Sequence, residues 1–218
     1  HKTEPAHPVD SALDRASYVK RPFAVVDDFA VCFMRIRHAN VRKIADIARL
    51  AAALTSDAND LTLPEFARLV DAFYLGGTKN GTLFGEALVI TRPELTHDFF
   101  RMKKRMGAVM EKGWLQGVQF EAILKDNLYF DMARHANVLA GRLQEGVKAL
   151  GLPLMTESCT NQIFPIVKNE LRPRLEQVCA FEDWCPFDAE HTVIRFVTCF
   201  HTTQEDVDAL LSELKKLL

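Results

Sequence analysis

The sequence predicts an α/β protein, and three observations carry that expectation. After residue 161 the pattern alternates, with a strand expected over 162–167, a helix over 170–179, a strand over 192–199 and a helix over 204–218, the order that builds layered α/β units. Before that, Leu128, Phe130, Met132, Val138, Leu139, Leu143, Val147 and Leu150 recur at roughly helical spacing until Gly151 and Pro153. They read as the core stripe of one long helix. Earlier still, the apolar runs Ala72–Leu75 and Ala87–Ile90 flank a glycine-lined turn, which reads as two buried strands.

Composition narrows the class. A chain of 218 residues can bury one substantial core or two small ones. Hydrophobic residues at 48% and charged residues at 26% describe an ordinary globular protein, and a net charge of -2 gives no electrostatic case for nucleic acid. Five cysteines, Cys32, Cys159, Cys179, Cys185 and Cys199, are odd in number and lack CxxC spacing. Neither a disulfide framework nor a metal site is expected, and the cytoplasm is the expected compartment. No apolar run approaches a membrane span and no leader pattern opens the chain. The first residue is His1 rather than Met, which reads as a processed, truncated or incomplete chain.

Taken in order, residues 1–45 are punctuated by Pro5, Pro8 and Pro22, with short apolar runs at 23–26 and 29–34 and a basic stretch at 35–42. They read as a loosely folded lead-in. From Ala45 the pattern becomes regular, and Asp46 and Arg49, three apart, read in isolation as an i,i+3 charge pair on a helix. Thr62, with Pro64 and Glu65 after it, marks the start of a helix reaching about Val70. Arg92, Pro93 and Glu94 open another, the basic cluster from Arg101 to Arg105 forms its solvated face, and Met106-Gly107 and Gly113-Trp114 mark breaks. Thr203, with Asp206 three residues on, caps the last helix.

Lys79 has an unusual address. It sits on the turn lined by Gly76, Gly77, Gly81 and Gly85, where glycines permit positive φ and the close approach of a flat ligand. A lysine partly withdrawn from water has a lowered pKa, and its neutral amine can form a Schiff base. Against this, Asn80-Gly81 is a hairpin signal in its own right and most lysines are simply solvated. Asn80-Gly81-Thr82 also matches an N-glycosylation pattern, which nothing else in the sequence supports. Arg195 alternates with Ile194 and Phe196 on its strand, so it faces away from both and can clamp a carboxylate if it lines a cleft.

Five segments together, Ala45-Asp46-Ile-Ala-Arg49, Asn59-Asp-Leu-Thr-Leu63, Tyr74-Leu-Gly-Gly-Thr-Lys-Asn-Gly81, Phe84-Gly-Glu-Ala87 and Ile194-Arg-Phe-Val-Thr198, resemble the low-specificity threonine aldolase and β-eliminating lyase family. The resemblance covers roughly residues 46–218 and keeps the family's order. It implies fold type I of the pyridoxal-phosphate enzymes: an incomplete, mostly parallel cofactor-binding sheet over 46–127 and a small α/β domain over 128–218, after an unmatched segment 1–45.

The resemblance also implies roles. Lys79 corresponds to the lysine that carries pyridoxal 5'-phosphate covalently, Asp46 to the aspartate on its pyridine nitrogen, and Arg49 to an arginine beside cofactor and substrate. Arg195 corresponds to the arginine that grips the substrate carboxylate, and Lys104 to a lysine near the entrance. The implied reaction cleaves an L-3-hydroxy amino acid, such as threonine or allo-threonine, to glycine and an aldehyde, in a homotetramer or dimer. Alternatives are β-elimination or another reaction on the same scaffold, which would yield pyruvate and ammonia in the eliminating case, and a truncated non-catalytic remnant. Two departures stand out. Ile47 replaces the glycine of the family's Asp-Gly-Ala-Arg pattern, and residues 1–45 supply neither the phosphate cradle nor the residue that stacks on the ring. The catalytic base is not evident either, since His97, His135, His191 and His201 lie outside the half from which the family draws it.

Overall fold

The computed structural model describes the backbone of residues 32–33 and 44–46 and, in full, residues 48–218. The reading of residues 1–45 therefore lies largely outside the described residues, as do Ile47 and the side chain of Asp46.

A first sheet takes the order β1 (Cys32–Phe33), β2 (Ile44–Asp46), β3 (Ala72–Leu75), β4 (Ala87–Ile90). β2 and β3 run parallel with Ala45 opposite Phe73, while β1–β2 and β3–β4 are antiparallel. The described strands thus contain one parallel pairing flanked by two antiparallel ones. A parallel pairing needs a crossover, and α1 (Leu50–Leu54) and α2 (Leu63–Leu69) supply it. α1 is Leu-Ala-Ala-Ala-Leu with its first four residues buried. α2 begins on the expected capping box, in which Thr62 accepts from the Glu65 N–H and the Glu65 carboxylate accepts in return from the Thr62 N–H. Phe66 of α2 meets Phe73 of β3 edge to face at 5.3 Å. Asp46 and Arg49 do not share a helix, because Asp46 ends a strand and the helix starts only at Leu50.

Beyond β4 the helix expected at Arg92-Pro93-Glu94 is a single 3-10 turn, and the α-helix α3 spans Phe99–Arg105. The breaks fall where glycine marks them: Gly107 has φ +69° and α4 (Trp114–Leu124) follows Gly113. Asp126 and Asn127 then take positive φ and turn the chain into α5 (Leu128–Ala149). This long helix is where the sequence stripe and the buried face part company. Leu128 and Val138 are 46% and 66% exposed, whereas Tyr129, Ala133, Ala136 and Ala140 are buried with Leu139, Leu143 and Val147. Small residues decide the face, because neighbouring elements approach the helix closely there. Tyr129 and Ala133 belong to a core with Leu50, Phe73 and Phe120, and Leu139, Leu143 and Val147 to a second core with Ile163, Ile194 and Val207. One helix therefore serves both cores.

The second sheet is antiparallel and centred on β8 (His191–Val197). The strand expected over 162–167 is split into β5 (Gln162–Ile163) and β6 (Ile166–Lys168) around Pro165, which has no N–H to donate although its carbonyl accepts from the Ile194 N–H at 3.0 Å. The helix expected over 170–179 shrinks to a 3-10 turn and α6 (Arg172–Leu175). The sequence reading missed β7 (Glu182–Pro186), which pairs with β8. α7 (Gln204–Leu217) carries the expected Thr203–Asp206 capping box and is tied to α5 by Arg142 and Asp208 at 2.6 Å.

Candidate active site

Parallel strands place their carboxyl ends at one edge of a sheet, and α/β sheets bind ligands outside that edge. Here β2 ends at Asp46 and β3 at Leu75, and the chain leaves them through the Ala48-Arg49 turn and through Gly76-Gly77 into the 3-10 turn Thr78–Asn80. The topology therefore brings the backbone at Asp46, Arg49 and Lys79 to the same edge. The two turns touch. A Cβ on Gly76 would lie 2.0 Å from the Ala48 carbonyl oxygen, and one on Gly77 would lie 2.4 Å from the Gly85 carbonyl oxygen. Positive φ occurs at Gly81 and Gly85, but the first two glycines make room for the chain's own backbone rather than for a ligand.

The Lys79 turn is pinned on several sides. The Gly77 N–H donates to Glu86 Oε2 at 2.9 Å and the Thr78 hydroxyl to Glu86 Oε1 at 3.2 Å. Asn80 Nδ2 donates to the Tyr129 carbonyl at 2.6 Å, and the Tyr129 hydroxyl donates to the Gly76 carbonyl at 2.9 Å. Burial, with Glu86 nearby, raises the Tyr129 phenol above its ordinary range, so it remains a donor. Lys79 itself is exposed at the mouth of a pocket that Arg49, Asn80, Tyr129, Asn161 and Phe200 also line. The enclosed part is about 20 Å³, room for a single water. A larger ligand would lie across its mouth.

Electrostatics single out the same residues. Partial burial and then the Arg49 and Arg195 guanidiniums lower the Lys79 amine, opposed by Glu86 and Glu182. Burial and then Arg195 lower Arg49, opposed by Glu182, although an arginine stays charged throughout. Arg195 donates from Nη1 to Gln162 Oε1 at 2.9 Å and from Nη2 to Glu182, and its guanidinium lies 5.0 Å from the Trp184 ring centroid. Its Nε is buried without an acceptor.

Structure thus joins Arg49, Lys79 and Arg195, which the sequence separates by up to 146 positions. Lys104 is exposed on α3 and is not among the residues lining the pocket. Sequence reasoning missed Asn161, whose Nδ2 donates to the Thr198 carbonyl at 2.7 Å while its buried Oδ1 has no partner. It also missed Glu182 and Trp184. Glu182 stands directly opposite Arg195, and the register shift between Asp183 and Cys185 makes Trp184 the extra residue of a bulge, a device that re-aims a side chain. Only the strand pairing could have revealed either.

No family model matches the chain. The low-specificity L-threonine aldolase of Pseudomonas aeruginosa is 33% identical over 96 residues, which is 44% of this chain and 28% of that enzyme. That of Pseudomonas sp. is 31% identical over the same shares. The structure of the threonine aldolase of Leishmania major superposes with a TM-score of 0.73 at 40% identity, covering 80% of this chain and 51% of that one. The chain resembles a threonine aldolase. Sphingomonas wittichii serine palmitoyltransferase, with a TM-score of 0.59 at 17% identity over 80% of this chain and 46% of its own, shares the fold alone. The architecture is that of the fold type I pyridoxal-phosphate enzymes, present in part. The chain spans about a quarter of the curated threonine aldolases it matches and about half of the Leishmania one.

Proposed function

We propose that the chain is part of a pyridoxal-phosphate-dependent lyase of the threonine aldolase type, which cleaves L-threonine-like 3-hydroxy amino acids to glycine and an aldehyde. The observation that carries this is Lys79: an amine lowered by burial and two guanidiniums, at the carboxyl end of β3, on a turn pinned by Glu86 and Tyr129. The described residues fit the cofactor in part, offering an amine that can be neutral and a cation at Arg49 for an acidic group, while no phosphate cradle or ring-stacking residue is evident among them. Lys79 would hold the cofactor covalently, and Asp46, at the end of β2, would keep its ring nitrogen protonated. When bound, pyridoxal phosphate supplies an electron sink for the pair left on Cα as Cα–Cβ breaks.

The remaining work falls to this chain's residues. Arg195 holds the substrate carboxylate with Arg49 alongside, and fixing that group sets which bond at Cα stands ready to break. Only the resemblance would put Lys104 near the entrance. Residues 46–127 form the C-terminal part of the cofactor-binding domain and 128–218 a small α/β domain, in a cytoplasmic homo-oligomer, tetramer or dimer. A second reading is a remnant that folds in part without catalysis. Absorbance with added pyridoxal phosphate, then borohydride reduction and peptide mapping, separates the two. Label on Lys79, lost in Lys79→Ala, is expected, with glycine and an aldehyde formed from threonine. A colourless chain without label would reduce the resemblance to ancestry.

A further inference from the structure

Arg195 is built to hold a carboxylate, and it already holds one from its own chain. Its side chain is only 13% exposed, whereas that of its partner Glu182 is 66% exposed, so a nearly fixed cation faces a counter-charge that solvent can free. The pairing is also incomplete. Glu182 takes Nη2, Gln162 takes Nη1, and Nε has no acceptor. Nε and Nη2 share one edge of a guanidinium, the edge a carboxylate takes with both oxygens. A ligand carboxylate there would take two donors where Glu182 takes one, and would relieve an orphaned buried N–H.

The surroundings favour such an exchange. Trp184, set in the bulge, gives the guanidinium a face to lie on, its centroid 5.0 Å away, and Gln162 is buried behind it. Both fix the plane of the fork whichever carboxylate occupies it. Arg49 and Lys79 feel the same Glu182 charge that Arg195 holds, so withdrawing it without a replacement removes a counter-charge from all three. An incoming anion restores the balance, and a neutral molecule does not.

We propose that Glu182 is an internal stand-in for the ligand carboxylate: it occupies Arg195 when the site is empty and swings into solvent when a ligand's carboxylate takes the Nε–Nη2 edge. Glu182 is then a specificity-setting residue, excluding neutral ligands from Arg195 and setting how tightly carboxylates bind. This rests on the reading of Arg195 as the carboxylate clamp.

The chain contains two tryptophans, Trp114 and Trp184, so in a Trp114→Phe background the fluorescence of Trp184 reports on Arg195 alone. Titration with N-acetylglycine, and with the uncharged N-acetylglycinamide as control, is compared between this parent, Glu182→Gln and Glu182→Asp. Both variants are expected to bind the carboxylate more tightly than the parent, the glutamine about fivefold or more, with no response to the amide in the parent and none to the carboxylate after Arg195→Gln. The aspartate keeps the charge but is one methylene short, so it separates loss of the contact from loss of the field and keeps the test available if the glutamine variant folds poorly. Unchanged or weaker binding in either variant overturns the proposal, as does the absence of a carboxylate response in every chain. Labelling of Lys79 by pyridoxal phosphate reads the cofactor separately, so the two readings fail independently.

Discussion

Lys79 is exposed and its amine is nonetheless lowered from 10.5, first by partial burial and then by Arg49 and Arg195. In the fold it gives up its proton before an unfolded lysine does, so its contribution to stability rises with pH between the lowered value and 10.5. The same sign governs reactivity. The pH midpoint for borohydride-trapped labelling at Lys79 is expected below that of exposed lysines, and Arg49→Met should move it up by removing one of the two cations. A midpoint unmoved by Arg49→Met, read by mass spectrometry of the Lys79 peptide, would remove Arg49 from the site. The sequence marked Lys79 through its glycines and Arg195 through strand alternation. It could not show Glu182, because cross-strand partners depend on register, and the bulge at Trp184 shifts that register.

At the scale of elements, the site rests on two turns in contact at the ends of β2 and β3. Gly76→Ala would place a methyl 2.0 Å from the Ala48 carbonyl oxygen, and rigid backbone on both sides leaves little room to yield. The expected cost is about 1–3 kcal/mol in urea denaturation, with loss of the lowered labelling midpoint at Lys79 as the turns move apart. Elements with local signals were legible: the caps at Thr62 and Thr203, the strands around the glycine turn, and the stop at Gly151, where φ is +83°. Three of the misread ones lie beside a proline. Pro165 splits a strand because it has no N–H to donate, whereas the helices expected at Pro93 and Pro173 are a 3-10 turn and the four-residue α6 although each proline sits in the first turn, where its missing N–H costs nothing.

For the whole molecule, the segment between β4 and α5 exposes several large apolar side chains. Met106, Met110, Trp114 and Val118 are each more than half exposed, and apolar groups this dense on a surface mark an interaction face. If copies of the chain associate through it, sedimentation velocity should show concentration-dependent assembly. Val118→Asp with Met110→Asp should then shift the chain toward monomer at a stability cost within about 0.5 kcal/mol, since both side chains already meet solvent. A chain that is monomeric at all concentrations would place the association elsewhere or nowhere.

By itself the sequence determined the α/β character, the long helix α5, the capped ends and the identity of a reactive lysine candidate, because periodicity, caps and glycine turns are properties of neighbouring residues. Tertiary structure decided which face of α5 is buried, the role of Gly76 and Gly77, and the company Lys79 keeps. Those depend on residues tens to more than a hundred positions apart, such as the charges of Arg49 and Arg195 and the backbones of Gly76 and Ala48, and such proximity leaves no periodic trace in the chain.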